Sequence, residues 1–304
     1  LPTYEWLPMP GLKINGTELF DIFHPDMEAQ MAENFKALQA NQNNPNLLGY
    51  LFANELPYAS LKSAVPAANG ESCGSKAKLI ELLQEKYTTI EAFNEAWDAS
   101  MASWDQALTS GLSVKTEASV QDMDEFTQVY LDKLYSTIAK YAKENDPNHM
   151  VLGDRWLGTV MNDSKLRGYL CEAAGKYMDA LSYNYYTYDL NMDMIAEMYE
   201  QSGGTPFIFT EFHYGDPTTG LTFASRMAED EHEKGLMYRN YVEKAAASGM
   251  VVGTNWFVYL DQAPTGRYFQ GLNGEAGAIG MLNVADRPYR DFLDSVMTAN
   301  YNIY

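Results

Sequence analysis

Phe207-Ile208-Phe209-Thr210-Glu211-Phe212-His213-Tyr214-Gly215 is the stretch on which the fold turns. Four mostly apolar residues, two of them aromatic, run into one carboxylate, and a His and a Gly follow. Such a run reads as a buried parallel strand that ends by delivering Glu211 into a polar site. An acid placed there is costly to bury without a partner or a task. The chain repeats the design at Leu47-Leu48-Gly49-Tyr50-Leu51-Phe52-Ala53-Asn54-Glu55, with Asn54 beside the second acid.

Outward from these two strands, the pattern alternates between strand and helix. Thr3 to Leu7 reads as a strand, and Met27, Met31, Phe35 and Leu38 recur at helical spacing between Asp26 and Ala40. After Glu55, residues 56–119 are too long for a simple connection and read as a helical insertion, with Thr89 capping one of its helices. A long helix from Gln121 to Asn145 stops at Asp146-Pro147-Asn148. Strands are then expected at Met150–Trp156, at Ala180–Tyr186, from about Pro206 to its end at Glu211, and at Met250–Tyr259. Helices are expected at Ser164–Lys176, Met192–Gln201, Glu229–Ala247 and Tyr289–Ala299. This alternation implies parallel strands with helical crossovers, in one domain spanning 1–304. Six strands are counted where a closed barrel of this kind has eight.

Composition narrows the function classes. A net charge of −20 over 304 residues argues against nucleic acid and anionic membranes as partners, and disfavours strongly anionic polymers as substrates. No apolar run is long enough to span a membrane. Cys73 and Cys171 are too few for a disulfide framework, and the four His (24, 149, 213, 232) form no metal-ligand pattern, so no cofactor is expected. No signal peptide opens the chain, and Leu1 is not an initiator Met. No phosphate-binding glycine pattern precedes a helix. The 22 Tyr and 5 Trp suit stacking on sugar rings, although any single aromatic is more often core.

Two strand-end glutamates, one of them following an Asn, are the constellation of glycoside hydrolysis. A retaining enzyme needs two carboxyl groups about 5–5.5 Å apart, one nucleophile and one acid/base, and a neighbouring amide can hold the sugar 2-hydroxyl. Around Glu55 and Glu211 the candidate substrate-binding residues are Asn54, Arg155, Trp156, Asn184, Tyr186, His213, Trp256 and Gln262. His213 lies two positions past Glu211, on the same side of an extended strand. Arg155 either contacts substrate or pairs with Asp154. Alternation puts Asn184 and Tyr186 on one face, and Tyr186 is the candidate hydroxyl donor to Glu211. Trp256 is the candidate floor under a sugar ring, and the loop from Asp261 and Gln262 through Arg267 to Asn273 and Glu275 reads as substrate-facing.

At these residues the chain resembles the β-agarases of glycoside hydrolase family 50. The likeness is carried by Gly49-Tyr50, Asn54-Glu55-Leu56, Thr210-Glu211-Phe212-His213-Tyr214-Gly215, Trp256-Phe257-Val258-Tyr259-Leu260-Asp261-Gln262 and Thr265-Gly266-Arg267. Ile279-Gly280 and Asp286-Arg287-Pro288-Tyr289 continue it. The resemblance implies a TIM (β/α)8 barrel with Glu55 as acid/base at strand 4 and Glu211 as nucleophile at strand 7. It implies cleavage of β-1,4-galactosidic bonds of agarose or agaro-oligosaccharides, with exo action, and a secreted or periplasmic location.

Two departures stand out: Ala53 replaces the Asp usual before Asn-Glu, and the loop around Asn273 and Glu275 is altered. Placing Glu55 on strand 4 makes this chain the source of about strands 3–8. Strands 1–2 are then missing or supplied by another chain, so a second polypeptide completing the barrel, or a homo-oligomer, is an expected partner. The alternative functions are a β-galactosidase or other marine-galactan exo-hydrolase, and a non-catalytic carbohydrate-binding or assembly subunit.

Overall fold

The computed structural model describes residues 2–267 and 274–303. They form two compact units. The first takes in residues up to Leu181 with Gln201–Gly203, and the second holds Ser182–Glu200 and the chain from Gly204 onward.

The first unit opens with strand β1 (Thr3–Trp6), helix α1 (Met27–Asn34) and strand β2 (Leu47–Leu51). Insertion helices α2 (Leu61–Ala67), α3 (Gly74–Tyr87), α4 (Ile90–Trp97) and α5 (Trp104–Thr109) follow. Then come α6 (Glu117–Asn145), β3 (Met150–Val151), β4 (Trp156–Leu157), α7 (Gly158–Met161) and α8 (Ser164–Gly175). β1, β2 and β3 lie side by side in that order, all parallel, as the strand–helix alternation requires. Gly49 of β2 permits the β3 approach, because a Cβ there would stand 2.4 Å from the Met150 carbonyl oxygen.

Two expectations need correction here. The helix from Asp26 to Ala40 is α1 followed by a 3-10 turn over Phe35–Asn41, whose three-residue period stacks buried Phe35 above buried Leu38. The strand at Met150–Trp156 is two short pieces, because Gly153 takes a φ of +78° and breaks the extended run.

The insertion is fastened to α6 by two buried carboxylates. Asp122 accepts from the Trp97 indole at 2.7 Å and the Tyr87 hydroxyl at 2.8 Å, and pairs with Lys86. Asp124 pairs with Lys62 of α2 and Lys165 of α8, each at 2.5 Å. Burial works against the Asp124 charge, yet the two lysines hold its carboxyl below the usual carboxylate range. Local signals set the helix ends: Thr89 accepts from the Ala92 amide, and Thr116 with Ser119 makes a capping box at the start of α6.

The second unit runs through β5 (Leu181–Asn184), α9 (Met192–Gln201), β6 (Phe207–Phe212), α10 (Glu231–Ala247), β7 (Val251–Trp256) and α11 (Arg290–Asn302). The strand order is β5-β6-β7, and β6 pairs β7 in parallel, with Phe207 opposite Val251 and Phe212 opposite Trp256. All six residues of β6 are buried, as its apolar run demands. Phe212 stacks on Tyr241 of α10 at 4.0 Å, and Trp256 meets Phe292 of α11 at 4.9 Å, closing an aromatic layer between sheet and helices. No helix among the described residues is long and apolar enough to cross a membrane. Residues 268–273 of the polar loop, Asn273 among them, lie outside the described residues.

Candidate active site

In the first unit the end of β2 carries Asn54 and Glu55. Hydrogen bonding to the neighbouring segment continues past the regular strands. The Phe52 amide donates to the Gly153 carbonyl, the Arg155 amide to Ala53, and the Glu55 amide to Arg155 at 2.8 Å. Glu55 sits half-buried at a φ of +55°, a left-handed conformation that costs a non-glycine residue on the order of 1–3 kcal/mol. Asn54, exposed, bridges Arg155 in parallel register. The backbone of Arg155 is thus what fixes the Asn54-Glu55 turn.

Beneath this turn lies a buried network that the sequence did not announce. Asp154 accepts from the Tyr58 hydroxyl at 2.7 Å, the Tyr135 hydroxyl at 2.7 Å and the Trp156 indole at 3.2 Å. Burial pushes its carboxyl up to about 6, and the hydroxyl donors pull the other way. Tyr58 lies three residues past Glu55, so Asp154 ties the segment after the turn to α6. Trp156, expected at the substrate, is corrected to a core residue: it is 2% exposed and its indole is spent on Tyr135 and Asp154.

In the second unit Glu211 stands near the end of β6, 9% exposed. The Tyr186 hydroxyl donates to its carboxylate at 2.5 Å, as strand alternation required. This bond fixes the orientation of the Glu211 carboxyl group. Asn184 is fully buried and accepts from Thr210 at 2.8 Å, so it braces β5 against β6 instead of lining a cleft.

His213 is corrected from ligand to strut. It is 2% exposed, and both ring nitrogens are engaged: Nδ1 donates to the Phe257 carbonyl at 3.2 Å, and Nε2 accepts from the Ser225 amide at 2.9 Å. Burial pushes its pKa down to about 4, so the ring is neutral. It packs on the Tyr186 ring at 4.7 Å and so supports the hydroxyl that reaches Glu211. Gly215 lets the following loop fold back, since a Cβ there would meet the Ala224 Cβ at 2.5 Å.

Trp256 and Gln262 also change roles. Trp256 pairs with Phe212 across the sheet, so both point to the helices while Glu211 points away from them. Its indole donates to Ile279 at 2.8 Å. Gln262 is 8% exposed and bridges Glu275 at 2.7 Å and the Gly277 amide at 3.0 Å. Arg267 pairs with the same Glu275 at 2.9 Å, so Gln262 and Arg267 shape the loop. Besides Tyr186, the Phe257 ring lies 6.0 Å from His213, with the Arg267 guanidinium 5.7 Å from its centroid. Phe257 follows Trp256 directly, and period-2 alternation was its only signal in the sequence. No cluster of three or more His, Cys, Asp or Glu among the described residues could hold a metal ion.

No protein-family model matches the chain. Beta-agarase B of Vibrio sp. (strain JT0107) is 27% identical over 311 residues, covering 95% of this chain and 31% of that protein. A solved exo-β-agarase superposes with a TM-score of 0.86 at 25% identity, covering 100% of this chain and 42% of that one. The crystal structure of another agarase gives a TM-score of 0.84 at 26% identity, covering 100% of this chain and 45% of the other. The chain spans about a third of the length of the curated relatives it matches. These likenesses run through both units: over nearly its whole length the chain is similar to β-agarases, among them solved structures of glycoside hydrolase family 50.

Proposed function

We propose that the chain carries the machinery of a retaining β-agarase on a (β/α)8-barrel scaffold. It cleaves β-1,4-galactosidic bonds of agarose or agaro-oligosaccharides from chain ends by double displacement. Glu211 attacks the anomeric carbon while Glu55 protonates the departing glycosidic oxygen, leaving a galactosyl ester on Glu211. Glu55, now ionised, takes a proton from water, whose oxygen displaces Glu211 and restores both carboxyl groups. Asn54 holds the sugar 2-hydroxyl, and Tyr186 orients the nucleophile. A polymeric substrate too large to enter a cell goes with a secreted or periplasmic place of action.

The observation that carries this reading is the Tyr186–Glu211 bond at the end of a buried parallel strand, in a chain similar to β-agarases over its whole length. The test is hydrolysis of agaro-oligosaccharides by Glu55→Gln and Glu211→Gln, with nitrophenyl galactoside as the competing substrate. Each variant is expected to lose activity by at least about 10²–10⁴-fold while its circular dichroism stays native. Near-normal hydrolysis in either would sink the assignment.

A further inference from the structure

The two tryptophans counted among the candidate substrate-binding residues, Trp156 and Trp256, pack into their own units, which directs attention to the remaining three. Trp97 is 1% exposed with its indole on Asp122, and Trp104 packs against Phe93 at 5.2 Å. Trp6 is different: it is 53% exposed. Single exposed apolar side chains are common on proteins, so exposure alone means little. Position adds the meaning. Trp6 is the last residue of β1 and lies in register with Leu51, the last residue of β2. It therefore sits at the carboxyl end of the sheet, the end from which Asn54 and Glu55 project and where parallel α/β folds assemble their sites. The Arg155 guanidinium stands 6.0 Å from the Trp6 ring centroid, and Arg155 bridges Asn54 on the strand between them. Trp6, Asn54-Glu55 and Arg155 thus occupy three adjacent strand ends of the first unit.

We infer that Trp6, steadied by Arg155, is the aromatic platform of this site and stacks on a neutral, galactose-based oligosaccharide. The inference rests on the proposed function and names a residue of its substrate site. The axial 4-hydroxyl of galactose leaves C3–H, C4–H and C5–H on one face as an apolar patch, which an indole covers without needing hydrogen bonds. The hydroxyls at the rim of the sugar then meet donors and acceptors on Arg155 and Asn54. A planar guanidinium beside the ring suits this arrangement, because it stays charged and braces the indole by a cation–π contact. The −20 net charge of the chain disfavours a sulfated galactan.

The experiment titrates an agaro-hexasaccharide into the full chain carrying Glu211→Gln, with binding read by calorimetry and by tryptophan fluorescence. Trp6→Ala and Trp6→Phe are compared in the same background. Binding is expected to shift the parent's fluorescence, and Trp6→Ala to weaken it by on the order of 10- to 100-fold. Trp6→Phe should abolish the fluorescence response yet recover most of the affinity. In the active chain, Trp6→Ala should raise KM by more than it lowers kcat. Unchanged affinity in Trp6→Ala, or an undiminished fluorescence response in Trp6→Phe, overturns the platform even if hydrolysis is robust. The second readout stands should Trp6→Ala fail to fold. A parent chain that neither binds nor cleaves the oligosaccharide overturns the proposed function, and this inference with it.

Discussion

Acid should weaken the second unit through a single imidazole. His213 is neutral because the Ser225 N–H points at Nε2, which leaves the proton on Nδ1 for the Phe257 carbonyl. Protonation would set two donors against each other and charge a side chain that is 2% exposed. Burial accordingly pushes its pKa down from 6.5 to about 4. A group depressed in the folded state contributes stability that is fully present above its unfolded pKa and is lost as pH falls through the folded one. The window is therefore pH 6.5 down to about 4. A gap of about 2.5 pH units, at roughly 1.36 kcal/mol each, comes to about 3 kcal/mol. The assay is urea unfolding at pH 7, 6, 5 and 4 for the parent and for His213→Asn, whose amide keeps one donor and one acceptor with nothing to titrate. The parent should lose about 3 kcal/mol more than the variant between pH 7 and 4. Parallel pH profiles for the two proteins would refute the reasoning.

Two further outcomes are expected. Tyr186→Phe removes the hydroxyl that donates to Glu211 and should cost about 1.5–3 kcal/mol of transition-state stabilisation. It would be read as a kcat reduced about 10- to 100-fold with KM little altered; unchanged kcat would show the bond to be incidental. Tyr58→Phe strips one donor from the buried Asp154 carboxylate and should destabilise the protein by about 1–3 kcal/mol in urea unfolding. Because Tyr58 follows Glu55 closely, activity should fall as well, and a variant with parental stability and turnover would contradict the bracing role given to Asp154.

What could be read in the sequence was whatever depends on short-range pattern. The bounds of α9 follow from helical spacing between turn residues, and the end of α6 follows from Asp146-Pro147. The Tyr186 contact to Glu211 followed from alternation along β5 together with the expected pairing of neighbouring strands. Trp256 failed for want of register. Alternation says which residues of β7 share a face, but only the pairing with Phe212 says which face looks at the helices. His213 failed because a ring between two backbone groups, one 44 residues away, leaves no local mark. The Asp154 network joins Tyr58 across 96 positions and Tyr135 across 19, a distance no periodicity reaches. Trp6 went unremarked because a Trp at the end of a strand looks like core until its exposure is known.

The double displacement proposed for this chain requires that Glu211 become covalently glycosylated during turnover. A 2-deoxy-2-fluoro-galactosyl substrate with a good leaving group should trap that ester, since fluorine at C2 slows both its formation and its hydrolysis while the leaving group speeds its formation alone. Mass spectrometry of the digested protein is expected to show one 2-deoxy-2-fluoro-galactosyl adduct, on the peptide containing Glu211. An adduct on a different residue, or steady hydrolysis of agaro-oligosaccharides with inverted anomeric configuration and no adduct, would contradict the account.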